Sequence, residues 1–206
     1  MELAYNDLVF KIPVSVYEPA EDSFMLAKGA AELKGKILEI GCGSGIVSLS
    51  NARQNPGNHV LGVDINPDAV ECASQNAGQN KIKNAEFMEG DLFSAIAHSD
   101  RIDKKTKFDA ILFNPPYLPT DREDRVKGKL NHAFDGGDDG RKVLDRFLGE
   151  FDAYLKSGGT LFLVQSSLNN PEKTKSILAI MGYKLEITEQ QDFFFEKLYL
   201  FKVRKP

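Results

Sequence analysis

The stretch KILEIGCGSGIVSLSNARQ, Lys36 to Gln54, runs from a short apolar strand through three glycines straight into a helix. Gly41, Gly43 and Gly45 let the backbone take otherwise strained angles and approach a ligand closely. The helix that follows turns its N–H groups and positive end toward the same spot. A tight strand-to-helix turn would produce the same pattern, and the spacing departs from the G-x-G-x-x-G dinucleotide fingerprint. The neighbouring elements must therefore decide between a ligand loop and a plain turn.

Those elements alternate. His59–Ile65 reads as a second strand, and residues 66–80 as a helix with Pro67 at its first turn, where a missing N–H costs nothing. Ala85–Gly90 and Phe108–Phe113 are strands, and residues 140–155 space their apolar side chains as a helix does. Gly159–Gln165 is a fifth strand. Residues 170–182 are a helix with Asn170 as its cap and Gly182 as its stop. Tyr183–Gln190 and Phe195–Val203 end the chain as strands with no helix between them, so they should pair antiparallel. Continuous apolar strands alternating with helices predict an α/β fold, with a mostly parallel sheet covered on both faces. The charged segments 98–107 and 120–141 read as loops, and the second is long enough to be functional or disordered.

Length and composition bound the answer. The chain has 206 residues, 42% hydrophobic and 27% charged, which suits one soluble domain, here expected to span residues 1–206. No run of about 18 apolar residues suggests a membrane span, and the N-terminus has no basic region followed by an apolar core, so no signal peptide is expected. Cys42 and Cys72 are too few for a disulfide framework and lack metal-ligand spacing. A reducing, cytoplasmic setting is the simplest expectation. His59, His98 and His132 are scattered, and no metal site is expected. A net charge of −4 argues against unaided binding to a nucleic-acid backbone.

In open α/β sheets ligands sit at the carboxyl ends of strands. Besides the glycine loop, two acids fall at such ends. Asp64 lies about 20 residues past the glycines, where an acid accepts hydrogen bonds from both ribose hydroxyls. It could instead cap the next helix, but Asn66 is better placed for that. Asp91 ends the third strand and can accept from the exocyclic amine of adenine, with Leu92 or Ile65 covering the ring, or it could serve as a plain helix cap. Glu39 ends a buried strand, and a buried charge needs a partner. A cationic amine would supply one, whereas a pyrophosphate would not tolerate the added negative charge. The set fits adenosine joined to an amino acid better than a dinucleotide. Residues 39–45, Asp64 and Asp91-Leu92 resemble the cofactor motifs of class I S-adenosylmethionine-dependent methyltransferases. That resemblance implies their Rossmann-like, seven-stranded fold over nearly the whole chain.

Asn-Pro-Pro-Tyr, Asn114–Tyr117, follows the fourth strand. A residue before proline is pushed into an extended conformation, and the two prolines fix their own angles and carry no N–H. The Asn114 side-chain oxygen and the Pro115 carbonyl then form a rigid pair of acceptors that can hold one –NH₂ group, while Tyr117 stacks on the flat group bearing it. Catalysis would come from orientation and electrostatics, without a strong base. The motif resembles that of methyltransferases acting on planar amino nitrogens.

The segment VYEPAEDSFML, Val16–Leu26, together with Ala133–Phe147, resembles the short HemK-like family of archaeal and eukaryotic release-factor glutamine methyltransferases. The resemblance implies methyl transfer to the glutamine of a Gly-Gly-Gln motif in a class-1 translation termination factor. By position it puts Ser23 at the cofactor's amino-acid end, and residues 1–34 become an extension and helix over the cofactor site. Glu39, Gly41, Asp64, Asp91, Leu92 and Asn114 match the family directly. The longer bacterial relatives carry an N-terminal helical domain, which is not expected here. Short members work with a small zinc-binding activator subunit, expected to pair with Ala85–Gly90 as an open sheet edge presenting Phe87 and Met88. Three alternatives share some of these features. Adenine-N6 methylation of DNA or RNA wants a basic cleft, protein lysine methylation wants a base, and a non-catalytic scaffold has no use for Asn-Pro-Pro-Tyr.

Overall fold

The computed structural model describes residues 1–100, 102–117 and 136–206. Most of the long charged segment, His132 and the start of Ala133–Phe147 lie outside these. A hairpin of β1 (Glu2–Tyr5) and β2 (Leu8–Lys11) precedes helix α1 (Glu21–Ala30). Then follow β3 (Lys36–Ile40), α2 (Ile46–Gln54), β4 (His59–Asp64), α3 (Pro67–Gln79), β5 (Ala85–Glu89) and the single turn α4 (Ser94–Ala97). The second half comprises β6 (Phe108–Phe113), α5 (Lys142–Glu150), β7 (Leu155–Ser166), α6 (Pro171–Ile180), β8 (Lys184–Asp192) and β9 (Lys197–Arg204). Among the described residues the sheet has seven strands, in the order β5-β4-β3-β6-β7-β9-β8. Its one reversed strand is β9, which inserts between β7 and β8 and runs antiparallel to both.

The apolar runs of the strands feed two cores. Ile37, Ala110, Leu112 and Val164 pack on one face with α1, α2 and α3. Leu38, Ile111, Phe113 and Leu163 pack on the other with α5 and α6. Both faces are covered, which is why the strands lack polar alternation. Asn66 caps α3 by accepting from the Asp68 N–H at 3.0 Å, and Asn170 caps α6 by accepting from the Lys173 N–H at 3.1 Å. The predicted helix over 140–155 is shorter: after Glu150 the chain tightens into a 3-10 turn, Phe151–Ala153.

Two features depart from the sequence-based picture. The β1–β2 hairpin was not predicted, although Asn6-Asp7 supplies the pair of positive φ angles, 48° and 60°, that such a turn needs. Its strands are too short for a period-2 signal, and they are held by α3: Val9 and Lys11 donate backbone N–H to Asn80 and Asn76, each at 2.9 Å. Strand β5 is the sheet edge, as expected, but Phe87 and Met88 are half-buried, one against each core, rather than fully presented. The Phe87 ring lies over Gly62, where an added Cβ would approach it to 2.5 Å. The edge therefore offers open backbone groups flanked by two half-buried side chains.

Candidate active site

Strand order reverses between β3 and β6, whose last residues, Ile40 and Phe113, are register partners. Above that point a cavity of about 540 Å³ opens, a size typical of small-molecule sites. Ser23, Glu39, Gly41, Gly43, Asp64, Ile65, Asp91, Leu92, Asn114, Pro115 and Tyr117 all line it. They come from α1 and from the ends of four adjacent parallel strands, so the topology alone brings them together.

The glycine loop is held from behind by Gly41 and Cys42, whose N–H groups donate to the Val63 carbonyl at 2.7 and 3.1 Å. At Gly43 φ is 53° and an added Cβ would meet nothing within 4 Å. Glycine is needed there for the backbone angle, and the open side faces the cavity. Asp64 accepts from the Gly43 N–H at 2.8 Å and from the Asn66 N–H at 2.9 Å, so its carboxylate is fixed against the loop. Leu92 sits at φ 51°, an uncommon angle for a side-chain-bearing residue and one that clusters at functional sites.

Glu39 is buried, and its Oε2 accepts from the Ser48 N–H at 2.9 Å and from the Ser48 hydroxyl. Burial pushes its carboxyl up to about 8, with a further push from Asp64, although the Ser48 bonds favour the charged form. The hydroxyl of Ser44, in the same loop, is buried without a hydrogen-bond partner among the described residues. Asp91 is paired with Arg146 of α5 at 2.9 Å, both side chains being about half exposed.

Just past β6, beside the glycine loop, where an added Cβ on Gly41 would come within 3.8 Å of the Asn114 backbone carbonyl, the side-chain oxygen of Asn114 is buried and has no hydrogen-bond partner among the described residues. Tyr117 is fixed: its hydroxyl donates to Asp22 at 3.2 Å, and Tyr17 donates to the same oxygen at 3.1 Å. Burial, reinforced by Asp22, holds both tyrosines well above their usual range, so both remain neutral donors. Residue-by-residue reading missed Tyr17, Asp22, Arg146 and Glu196, which also line the cavity, and took Ser44 only as part of the 39–45 motif. Tyr17 and Asp22 lie within Val16–Leu26, where only Ser23 was singled out. Arg146 and Glu196 carry no local signal, because their place depends on how α5 and the β8–β9 turn fold back over the strand ends.

Fold and site together define a class I methyltransferase. The Methyltransferase small domain family matches residues 22–195. A protein of Methanocaldococcus jannaschii, provisionally named a protein N5-glutamine methyltransferase, is 43% identical over 96% of this chain and 96% of its own length. Methyltransferase HEMK2 of Mus musculus is 36% identical over 81% of this chain and 79% of its own. A solved structure is that of an E. cuniculi Mtq2–Trm112 complex, described as responsible for methylation of the eRF1 translation termination factor. It superposes with a TM-score of 0.67 at 26% identity, over 94% of this chain and 100% of that one. The chain belongs to the Methyltransferase small domain family, in its HemK-like branch. Among the described residues no helix is long and apolar enough to cross a membrane.

Proposed function

We propose that the protein transfers a methyl group from S-adenosylmethionine to the side-chain nitrogen of the glutamine in the Gly-Gly-Gln motif of a class-1 release factor. The observation that carries the reading is the side-chain oxygen of Asn114, buried and without a hydrogen-bond partner among the described residues. A buried acceptor left unpaired costs about 1–3 kcal/mol, so a donor is called for, and a planar –NH₂ group is one. Asn114 and the Pro115 carbonyl would take its two hydrogens and orient the nitrogen, and Tyr117, pinned by Asp22, would cover the flat group. The proton can leave after transfer, so no general base is required of these residues.

The cavity suits the cofactor. Glu39 would offer a buried carboxylate to an amine, the Ser44 hydroxyl would be a donor within the glycine loop, and Asp64, fixed against that loop, would accept from ribose hydroxyls. Leu92 and Ile65, which line the cavity, would flank an adenine ring, Asp91 would receive its amine, and Ser23 with residues 1–34 would close over the amino-acid end. S-adenosylmethionine supplies an electrophilic methyl group on a sulfonium.

The substrate and partner come from the relatives: glutamine N5 from the M. jannaschii protein's name, and a termination factor and a second subunit from the E. cuniculi complex. The partner would be a small zinc-binding activator laid along the open backbone of β5, and the pair would work in the cytoplasm without direct nucleic-acid contact. Asp22 and Glu196 at the substrate end disfavour the phosphates of an adenine substrate in DNA or RNA, and a lysine would need a base.

The test is transfer of labelled methyl to purified release factor, with and without the activator, beside a Gln→Ala control in Gly-Gly-Gln. Label that requires the glutamine is expected, and label that survives the change sinks the substrate assignment. Asn114→Ala should leave cofactor affinity nearly intact and lower turnover by about 10²-fold or more.

A further inference from the structure

The turn between β8 and β9 reaches the cavity from outside the parallel strands. Asp192 and Lys197 are the last register pair of that hairpin, and the Phe193 N–H closes the turn by donating to the Glu196 carbonyl at 2.7 Å. Phe194 and Phe195 point into solvent, 91% and 83% exposed. Glu196 points the opposite way and lines the cavity. Its Oε1 is buried and has no hydrogen-bond partner among the described residues. It lies close enough to Tyr17 and Tyr117 that its charge adds to the forces keeping both phenols protonated. The hydroxyls of those two tyrosines are directed at Asp22, not at Glu196.

A carboxylate oxygen withdrawn from water without a donor is unfavourable by more than a neutral acceptor would be. Nothing in the hairpin requires it, since the turn is closed by backbone and Lys197 is anchored through its own N–H to the Ser167 hydroxyl at 2.9 Å. The carboxylate lies in the same cavity near Tyr17 and near Tyr117, the last residue of Asn-Pro-Pro-Tyr. We infer that Glu196 is a specificity-determining residue that accepts a hydrogen bond from a main-chain N–H of the substrate, next to the residue being methylated. The inference rests on Asn114 and Pro115 holding the target side chain. They use both hydrogens of its –NH₂ group, so the nearest remaining donors on a peptide are its backbone amides. Short, glycine-flanked peptide can bring an N–H against the carboxylate because no side chain intervenes. A nucleotide presents phosphate oxygens there instead, which repel it.

The experiment compares wild type, Glu196→Ala and Glu196→Gln in methyl transfer to purified release factor. S-adenosylmethionine affinity by calorimetry and thermal unfolding are measured alongside. Glu196→Ala should raise KM for the factor about tenfold or more, with kcat changed much less and cofactor affinity unchanged. Glu196→Gln keeps an acceptor oxygen in the same place and should stay within about threefold of wild-type KM. Equal losses in the two variants would mean that a cation is read rather than an N–H. Lost cofactor affinity with KM for the factor unaltered would move Glu196 to the cofactor end. An unaltered KM in Glu196→Ala would leave it no role in recognition. Each of these three results overturns the inference. Failure of the wild type itself to label the factor strikes the release-factor reading, and with it the peptide occupant inferred here.

Discussion

Glu39→Gln separates fold stability from cofactor binding at one atom. Glu39 is 3% exposed, and burial lifts its carboxyl from 4.5 to about 8. At about 1.4 kcal/mol per tenfold change in proton affinity, that rise is worth on the order of 5 kcal/mol. The folded chain binds this proton more tightly than the unfolded chain does. Between pH 4.5 and 8 the folded state therefore carries the extra proton, and stability falls as pH rises through that window. Above pH 8 the whole destabilisation is present. Glutamine has the same shape, keeps an acceptor for the Ser48 N–H and hydroxyl, and cannot ionise. Without cofactor, Glu39→Gln should match wild type in urea unfolding near pH 5 and exceed it by several kcal/mol near pH 9. The same change should weaken S-adenosylmethionine by about 1.5–3 kcal/mol, the worth of a hydrogen bond to a charged group. Because an amine needs the carboxylate, wild type should also release close to one proton on binding near pH 7, measurable by calorimetry in two buffers of different ionisation enthalpy. A wild-type stability curve parallel to the variant's from pH 5 to 9, with equal affinity and no proton release, would refute both the buried acid and its amine partner.

Asp64→Ala should weaken the cofactor by about 1.5–3 kcal/mol per ribose bond lost, and should also lower stability by about 1–3 kcal/mol, because the Gly43 and Asn66 N–H groups lose their acceptor. Calorimetry and denaturant titration read the two effects separately. Arg141, 2% exposed, donates to the Asn169 and Asn170 carbonyls, to Thr174 and to Asp145, tying the start of α5 to the start of α6. Arg141→Ala should cost about 3–5 kcal/mol in urea unfolding, and a loss under about 1 kcal/mol would show that the network is dispensable. Tyr117→Phe keeps the ring and removes the bond to Asp22. Thermal unfolding should report a loss of about 0.5–1.5 kcal/mol, with turnover falling far less than in Asn114→Ala.

The strand-and-helix alternation, the glycine loop and the acids at strand ends were legible because each is a local pattern. An apolar run with no polar face states that both of its faces are covered, and Asn66-Pro67 or Asn170-Pro171 announces a helix start within two residues. The residues that line the cavity from β3, β4, β5 and β6 could be named in advance because parallel strands deliver their carboxyl ends to one side of the sheet. What the sequence determined by itself was thus the layer architecture and the set of strand-end residues that line one cavity. Tertiary structure alone decided the rest. That β9 inserts between β7 and β8, that Phe87 turns in over Gly62, that Asp22 joins Tyr17 to Tyr117, and that Arg146 and Glu196 reach the cavity all depend on contacts between segments far apart in the chain. No periodicity records such contacts, because their energy resides in pairs of elements and not in either element alone.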